Sequence, residues 1–122
     1  RVLLRSNYVL FTSGWSDEKI IDQISKELNI ANIEHKILHN AQIKRLGAVL
    51  SLVDLYITND TGTMHIAGYS GAKMISLFGP TNPNEWAPKG LAQLCVKSKD
   101  LSINSISVEE VYSFAKIFLI KK

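Results

Sequence analysis

Leu55-Tyr56-Ile57-Thr58 is a short apolar run, rich in β-branched and aromatic side chains, that stops abruptly at Asn59-Asp60-Thr61-Gly62-Thr63. Such a run reads as a buried strand. The acidic, hydroxyl-bearing, glycine-containing turn after it reads as the opening of a short helix, Gly62 to Ser70, stopped by Gly71. The pattern then repeats: Met74 to Phe78 is a second apolar strand, followed by Gly79-Pro80-Thr81-Asn82-Pro83. Two strands whose C-terminal ends both carry small, polar loops are how an open α/β sheet forms a ligand crevice. The first loop offers backbone N–H groups at a helix start, a setting that favours a phosphate and hence a nucleotide-type ligand.

The rest of the chain alternates in the same way. Tyr8 to Thr12 reads as a strand ended by Ser13-Gly14, and Ser16-Asp17-Glu18 caps a helix with Ile20, Ile21, Ile24 and Leu28 on its apolar face. Ile33 to Leu38 reads as a strand, Gln42 to Val53 as a helix and Gln93 to Val96 as another strand. A final helix opens at the capping-box sequence Ser107-Val108-Glu109-Glu110 and runs to about Leu119. Regular alternation of strand and helix predicts a parallel, doubly wound sheet. Asn82 to Gly90 is the longest irregular piece and lies beside the expected crevice, where long loops tend to be functional.

Composition narrows the choice of ligand. With 122 residues, 46% of them hydrophobic and 20% charged, the chain is an ordinary globular domain, read as single and partial over residues 1–122. The net charge of +3 suits anionic ligands, but only Lys44-Arg45 and Lys121-Lys122 form dense basic pairs, so nucleic acid is not expected. Cys95 is the single cysteine, which excludes an internal disulfide; in the run Leu94-Cys95-Val96 it is expected to be a buried strand thiol. No apolar run approaches the length of a membrane span.

Several residues could carry chemistry. Asp60 either caps the helix, accepting from the N–H of Thr63, or holds a ligand hydroxyl; one carboxylate can do both. Thr61, Gly62 and Thr63 supply backbone amides where the helix dipole favours an anion, and Gly62 lets the ligand approach without an intervening Cβ. His65 falls in the first turn of the same helix, either as a packing residue or beside the phosphate. Thr81 could donate to the same ligand. Glu18 could reach ribose hydroxyls or simply favour its helix start. Trp86 is better suited to anchoring its loop than to walling a pocket. His35 and His39 show no comparable setting, and there is no P-loop, GxGxxG or Ser-His-Asp arrangement.

Asn59-Asp60-Thr61-Gly62-Thr63-Met64-His65-Ile66-Ala67, then Leu77-Phe78-Gly79-Pro80-Thr81-Asn82-Pro83 and Trp86-Ala87-Pro88, resemble the C-terminal half of family-9 glycosyltransferases. These are the bacterial ADP-heptose:lipopolysaccharide heptosyltransferases and their relatives. The resemblance runs from about Tyr8 to the C-terminus. It implies the Rossmann-like, doubly wound C-terminal half of a GT-B glycosyltransferase, in which this half holds a nucleotide-sugar donor. By similarity, Asp60 orients the donor sugar, Thr61 and Gly62 hold the diphosphate through backbone amides, His65 lies against the same site and Glu18 contacts ribose. The implied reaction is an inverting transfer of heptose from ADP-heptose to the lipopolysaccharide inner core, with no cofactor and no metal ion. The implied location is the cytoplasm, peripheral to the inner membrane.

The resemblance also sets expectations about what lies outside this chain. Thr63 stands where the family usually has proline or another small residue. Ala41 and Gln42 stand where some members carry methionine, so the donor base is not named. The family places a strand, a positioning lysine and a helix before the equivalent of Tyr8, and an N-terminal domain with the general base and the acceptor site before those. The chain is therefore expected to be a fragment or a truncated product, inactive alone and lacking the first, central strand of its sheet. Val2-Leu3-Leu4 could fill part of that gap, and uncovered strand edges predict a homo-oligomer or a marginally stable monomer. Other GT-B nucleotide-sugar enzymes, including an epimerase, and a non-catalytic module remain as alternatives.

Overall fold

The computed structural model describes residues 8–59, 61–81 and 93–120. The chain divides into two compact units, Arg1–Gln42 and Ile43–Lys122. Asp60, Trp86, Val2-Leu3-Leu4 and the Asn82 to Gly90 loop, for which the sequence sets expectations, lie outside the described residues.

In the first unit, β1 (Val9–Ser13) and β2 (His35–His39) pair in parallel, with Val9 opposite His35 and Ser13 opposite His39. A 3₁₀ turn at Trp15–Asp17 and helix α1 (Glu18–Ile30) make the crossover. The Asp17 side chain does not cap α1; it accepts from the Gly14 N–H at 2.9 Å and so closes the 3₁₀ turn ahead of the helix. Asn32 ends α1 in the left-handed region (φ 59), and the Ile33 N–H reaches back to the Leu28 carbonyl at 2.8 Å, the six-to-one bond of a Schellman-type stop. That cap uses Ile33, which is why β2 begins at His35 rather than at Ile33. Ile21 is buried and Ile24 and Leu28 are half-buried, but Ile20 is exposed: the apolar stripe of α1 is narrower than its sequence suggests.

The second unit contains α2 (Ile43–Leu50), β3 (Tyr56–Asn59), α3 (Gly62–Tyr69), β4 (Met74–Phe78), β5 (Gln93–Lys97), a 3₁₀ turn at Ile103–Ser105 and α4 (Val108–Ile120). The strands form an all-parallel sheet in the order β3-β4-β5. β4 is central, with Met74, Ile75, Ser76 and Phe78 buried, as a parallel strand covered on both faces requires. On one face Ile75, Val96 and Ala115 form a core cluster with Leu77, Leu94, Ile106, Phe114 and Phe118, which brings α4 onto the sheet. Alternation along β4 turns Met74 and Phe78 to the other face, and α3 packs against β3 and β4. Gly47 lets α2 approach α3: a Cβ there would stand 3.4 Å from Ser70 Oγ and 3.7 Å from Ile66 Cγ2.

Two details differ from expectation and two agree with it. α2 is shorter than Gln42 to Val53, ending at Leu50, and Ile43 and Leu52 are exposed. Cys95 is exposed rather than buried, because on β5 it alternates with Leu94 and Val96 and it is these that enter the core. α3 stops as expected: Ser70 is its C-cap, and Gly71 follows at φ 76. α4 opens with the Ser107 hydroxyl accepting from the Glu110 N–H at 3.1 Å, the predicted cap.

An apolar groove of about 400 Å³ opens on the face that carries α4. It lies between Ile57 and Leu77 of the sheet, Ile103 and Ile106, and Val108 and Tyr112 of α4. Among the described residues, no helix is long and apolar enough to cross a membrane.

Candidate functional site

β3 and β4 run side by side with Asn59 opposite Leu77, so the chain leaves both strands at the same edge of the sheet. The first exit delivers Thr61 and Gly62 to the start of α3; the second delivers Gly79-Pro80-Thr81. Parallel pairing thus juxtaposes the two segments that sequence reasoning assigned to one crevice.

Thr61 is the N-cap of α3, extended at φ −139° and ψ 173°, and its side chain makes no capping bond. Its hydroxyl instead meets that of Thr63 at 2.8 Å. The first intrahelical bond runs from the Met64 N–H to the Thr61 carbonyl at 3.1 Å. Among the described residues, then, no side chain occupies the first amides of α3, where the helix dipole carries partial positive charge. Gly62 is exposed, and a Cβ built on it would find nothing within 4 Å. Its φ is not in the positive range, which among the described glycines is confined to Gly71. The fold itself therefore makes no demand for glycine at this position. His65 is exposed on the same turn, so it is not the packing residue that one reading allowed. Thr81 is half-buried beyond β4.

Thr61, Gly62, Thr63 and His65 share one turn, with Thr81 on the neighbouring exit. Glu18 is exposed at the start of α1 and belongs to the first unit. The apolar groove against α4 is a different place, walled mainly by Ile, Leu and Val, with Ser107 and Tyr112 as its polar side chains and no cation.

The histidines of the first unit are structural. His35 Nδ1 lies 3.0 Å from the Ile33 carbonyl, which can only accept, so Nδ1 carries the proton and Nε2 takes the Ser25 hydroxyl at 2.8 Å. His39 takes the Asn40 side-chain amide on Nε2 at 3.0 Å and therefore donates from Nδ1 to Ser13 Oγ at 2.7 Å. Ser13 is the acceptor in that pair, so His39 does not activate it as a nucleophile. Among the described residues no group of three or more His, Cys, Asp and Glu side chains is placed to hold a metal ion.

Sequence reasoning missed a polar cluster behind the second exit. The Lys97 ammonium donates to the Gly79 carbonyl, and the Ser98 hydroxyl donates to the Asp100 carbonyl. Asp100 in turn accepts from the Ser105 hydroxyl at 2.6 Å and from the Ser102 N–H at 2.8 Å, and these bonds hold its carboxyl below the usual carboxylate range. Nothing local in the sequence marks this cluster. It exists because the sheet register sets Lys97 opposite Phe78.

Comparison with known proteins places this arrangement. The family model for glycosyltransferase family 9 (heptosyltransferase) matches residues 1–115. Two proteins named lipooligosaccharide heptosyltransferase 2, from Campylobacter jejuni serotypes O:2 and O:6, are 33% and 35% identical to the chain over 81 residues, 66% of its length. The chain spans about a quarter of their length, 25% and 26%. The crystal structure of the glycosyl transferase family 9 protein from Veillonella parvula DSM 2008 superposes with a TM-score of 0.86 at 20% identity, over 99% of this chain and 39% of that one. E. coli heptosyltransferase WaaC with ADP superposes with a TM-score of 0.79 at 17% identity, over 96% of this chain and 36% of that one. The fold is thus a Rossmann-like portion of a GT-B glycosyltransferase. The chain belongs to glycosyltransferase family 9, the heptosyltransferase family.

Proposed function

We propose that this chain is the donor-binding part of an inverting, metal-independent glycosyltransferase that moves heptose from ADP-heptose to the inner core of lipopolysaccharide at the cytoplasmic side of the inner membrane. The observation that carries the proposal is Gly62: exposed, at a helix start, with open space over its missing Cβ and an ordinary backbone conformation. A diphosphate resting on the amides of Thr61 and Gly62 accounts for that glycine, and Thr63, His65 and Thr81 flank the same ground. Asp60 would orient the donor sugar and Glu18 the ribose. Support comes from the names of the Campylobacter relatives and from the ADP bound to the E. coli structural neighbour.

In this reaction an acceptor hydroxyl loses its proton to a base in the other domain of the enzyme. Its oxygen then attacks the anomeric carbon, and the bond from that carbon to the diphosphate oxygen breaks. Charge grows on the departing diphosphate, where fixed backbone N–H groups and the α3 dipole stabilise it without having to reorganise. Charged-acceptor hydrogen bonds of this type are worth about 1.5–3 kcal/mol each.

Saturation-transfer NMR of the chain with ADP, UDP and GDP tests the proposal. Selective transfer to ADP is the expected result. Preference for UDP or GDP would move the assignment to a different nucleotide-sugar enzyme, and no transfer from any of the three would leave a module that keeps the fold without the ligand.

A further inference from the structure

The loop that leaves β4 is held from behind. The Gly79 carbonyl accepts from the Lys97 ammonium and takes the longer branch, at 3.3 Å, of a Ser98 hydroxyl proton shared with the Asp100 carbonyl, while the Ser98 N–H bonds the Phe78 carbonyl at 2.9 Å. Both side chains also reach the Asp100 carbonyl, Lys97 at 3.4 Å. One cation and one buried hydroxyl therefore bridge the exit of β4 to the turn after β5. That turn is itself braced by the Asp100 carboxylate, through Ser102 and Ser105. Gly79 sits close under the same segment: a Cβ there would lie 3.0 Å from the Ile103 nitrogen and 3.3 Å from the Leu101 carbonyl oxygen.

Ser98 is only 6% exposed, so its hydroxyl cannot be exchanged for water without opening the cluster. The peptide whose carbonyl is clamped, Gly79–Pro80, has the fixed φ of proline on its far side. With that peptide plane held and the proline φ fixed, the Pro80 ψ is the one backbone torsion left before the Thr81 amide. Among the described residues, the hydrogen bonds of this cluster do not reach the start of α3.

We infer that Lys97 and Ser98 are positioning residues for the donor site: by clamping the Gly79 carbonyl they set the direction in which Thr81 meets the nucleoside diphosphate. This rests on the donor-binding function proposed above. It divides the site into two independently supported halves, the α3 amides on one side and the Gly79-Pro80-Thr81 exit on the other. Removing either clamp weakens the second half and leaves the first intact.

The test follows backbone amide signals of the chain during titration with ADP. In the wild type, Gly62 and Thr81 move together. In Lys97→Met and in Ser98→Ala, Gly62 still moves, the Thr81 response is lost or greatly reduced, and the dissociation constant rises about fivefold to tenfold, as for one lost hydrogen bond. Lys97→Arg, which keeps a donor and a charge, restores the Thr81 response. Methyl signals of Ile75 and Val96 report whether each variant keeps its core. Wild-type Thr81 behaviour in both folded variants, or a Thr81 that ignores ADP while Gly62 responds in the wild type, overturns the positioning role alone. Silence of both amides in the wild type overturns the donor-site function and this role with it.

Discussion

Replacing Gly62 with valine separates what the fold needs from what the ligand needs. A Cβ at Gly62 meets nothing within 4 Å and the φ there is ordinary, so the new side chain projects into solvent from the first residue of α3. Valine is a better helix residue than glycine, so stability should change by no more than about 0.5 kcal/mol, a shift in melting temperature of roughly 3 °C at most. The ligand meets a different situation. A phosphate oxygen accepting from an amide at the helix start must come within about 2.9 Å of its nitrogen, ground that the valine methyl groups cover. Losing one charged-acceptor hydrogen bond of about 1.5–3 kcal/mol raises the dissociation constant between about tenfold and a hundredfold. Thermal unfolding by circular dichroism and ADP titration by calorimetry, with Gly62→Ala as the intermediate case, give the two numbers separately. Wild-type affinity in a stable Gly62→Val variant would refute the claim that a ligand rests on these amides. A melting temperature lowered by 10 °C or more, roughly 2 kcal/mol for a domain of this size, would show that glycine is kept there for the fold instead.

Gly79→Ala should behave in the opposite way. Its Cβ would press on the Ile103 nitrogen at 3.0 Å, so about 1–3 kcal/mol of stability is lost, seen as a lower denaturation midpoint with an unchanged denaturant slope. Asp100 makes stability depend on acid. Hydrogen bonds from Ser105 and Ser102 lower its folded pKa below the ordinary 3.8, so its contribution is present above that pH and disappears as pH falls through the lower, folded value. The melting temperature of Asp100→Asn should lie below wild type at pH 6 and converge with it well below pH 3.8; a gap that persists there would contradict the assignment. Finally, within the described strands of its unit β3 pairs with β4 alone, and Ile57, 45% exposed, lies on the apolar groove beside α4, which predicts self-association. Light scattering that shows a compact, stable monomer at high concentration would count against it.

Much of this protein was written locally. The apolar runs at Tyr56 and Met74, the capping serine Ser107 and the stop at Gly71 specify their elements through short-range effects: β-branched side chains, a hydroxyl for an orphan amide, a residue at ease with positive φ. The turn from Thr61 to His65 was legible for the same reason, since a helix start is a local event. Burial was less so. Ile20 and Cys95 look like core residues in one dimension, and only the angular placement of α1 and the alternation of β5 turn them outward. The clamp on Gly79 could not have been read at all. Lys97 and Ser98 stand 18 and 19 positions from the carbonyl they hold, and only the parallel register of β4 and β5 brings them to it. Chemical type and backbone preference travel with the residue, whereas register and facing are set by how strands and helices pack. The sequence determined that there would be amides at a helix start; the tertiary structure decided which second loop stands beside them and what holds it there.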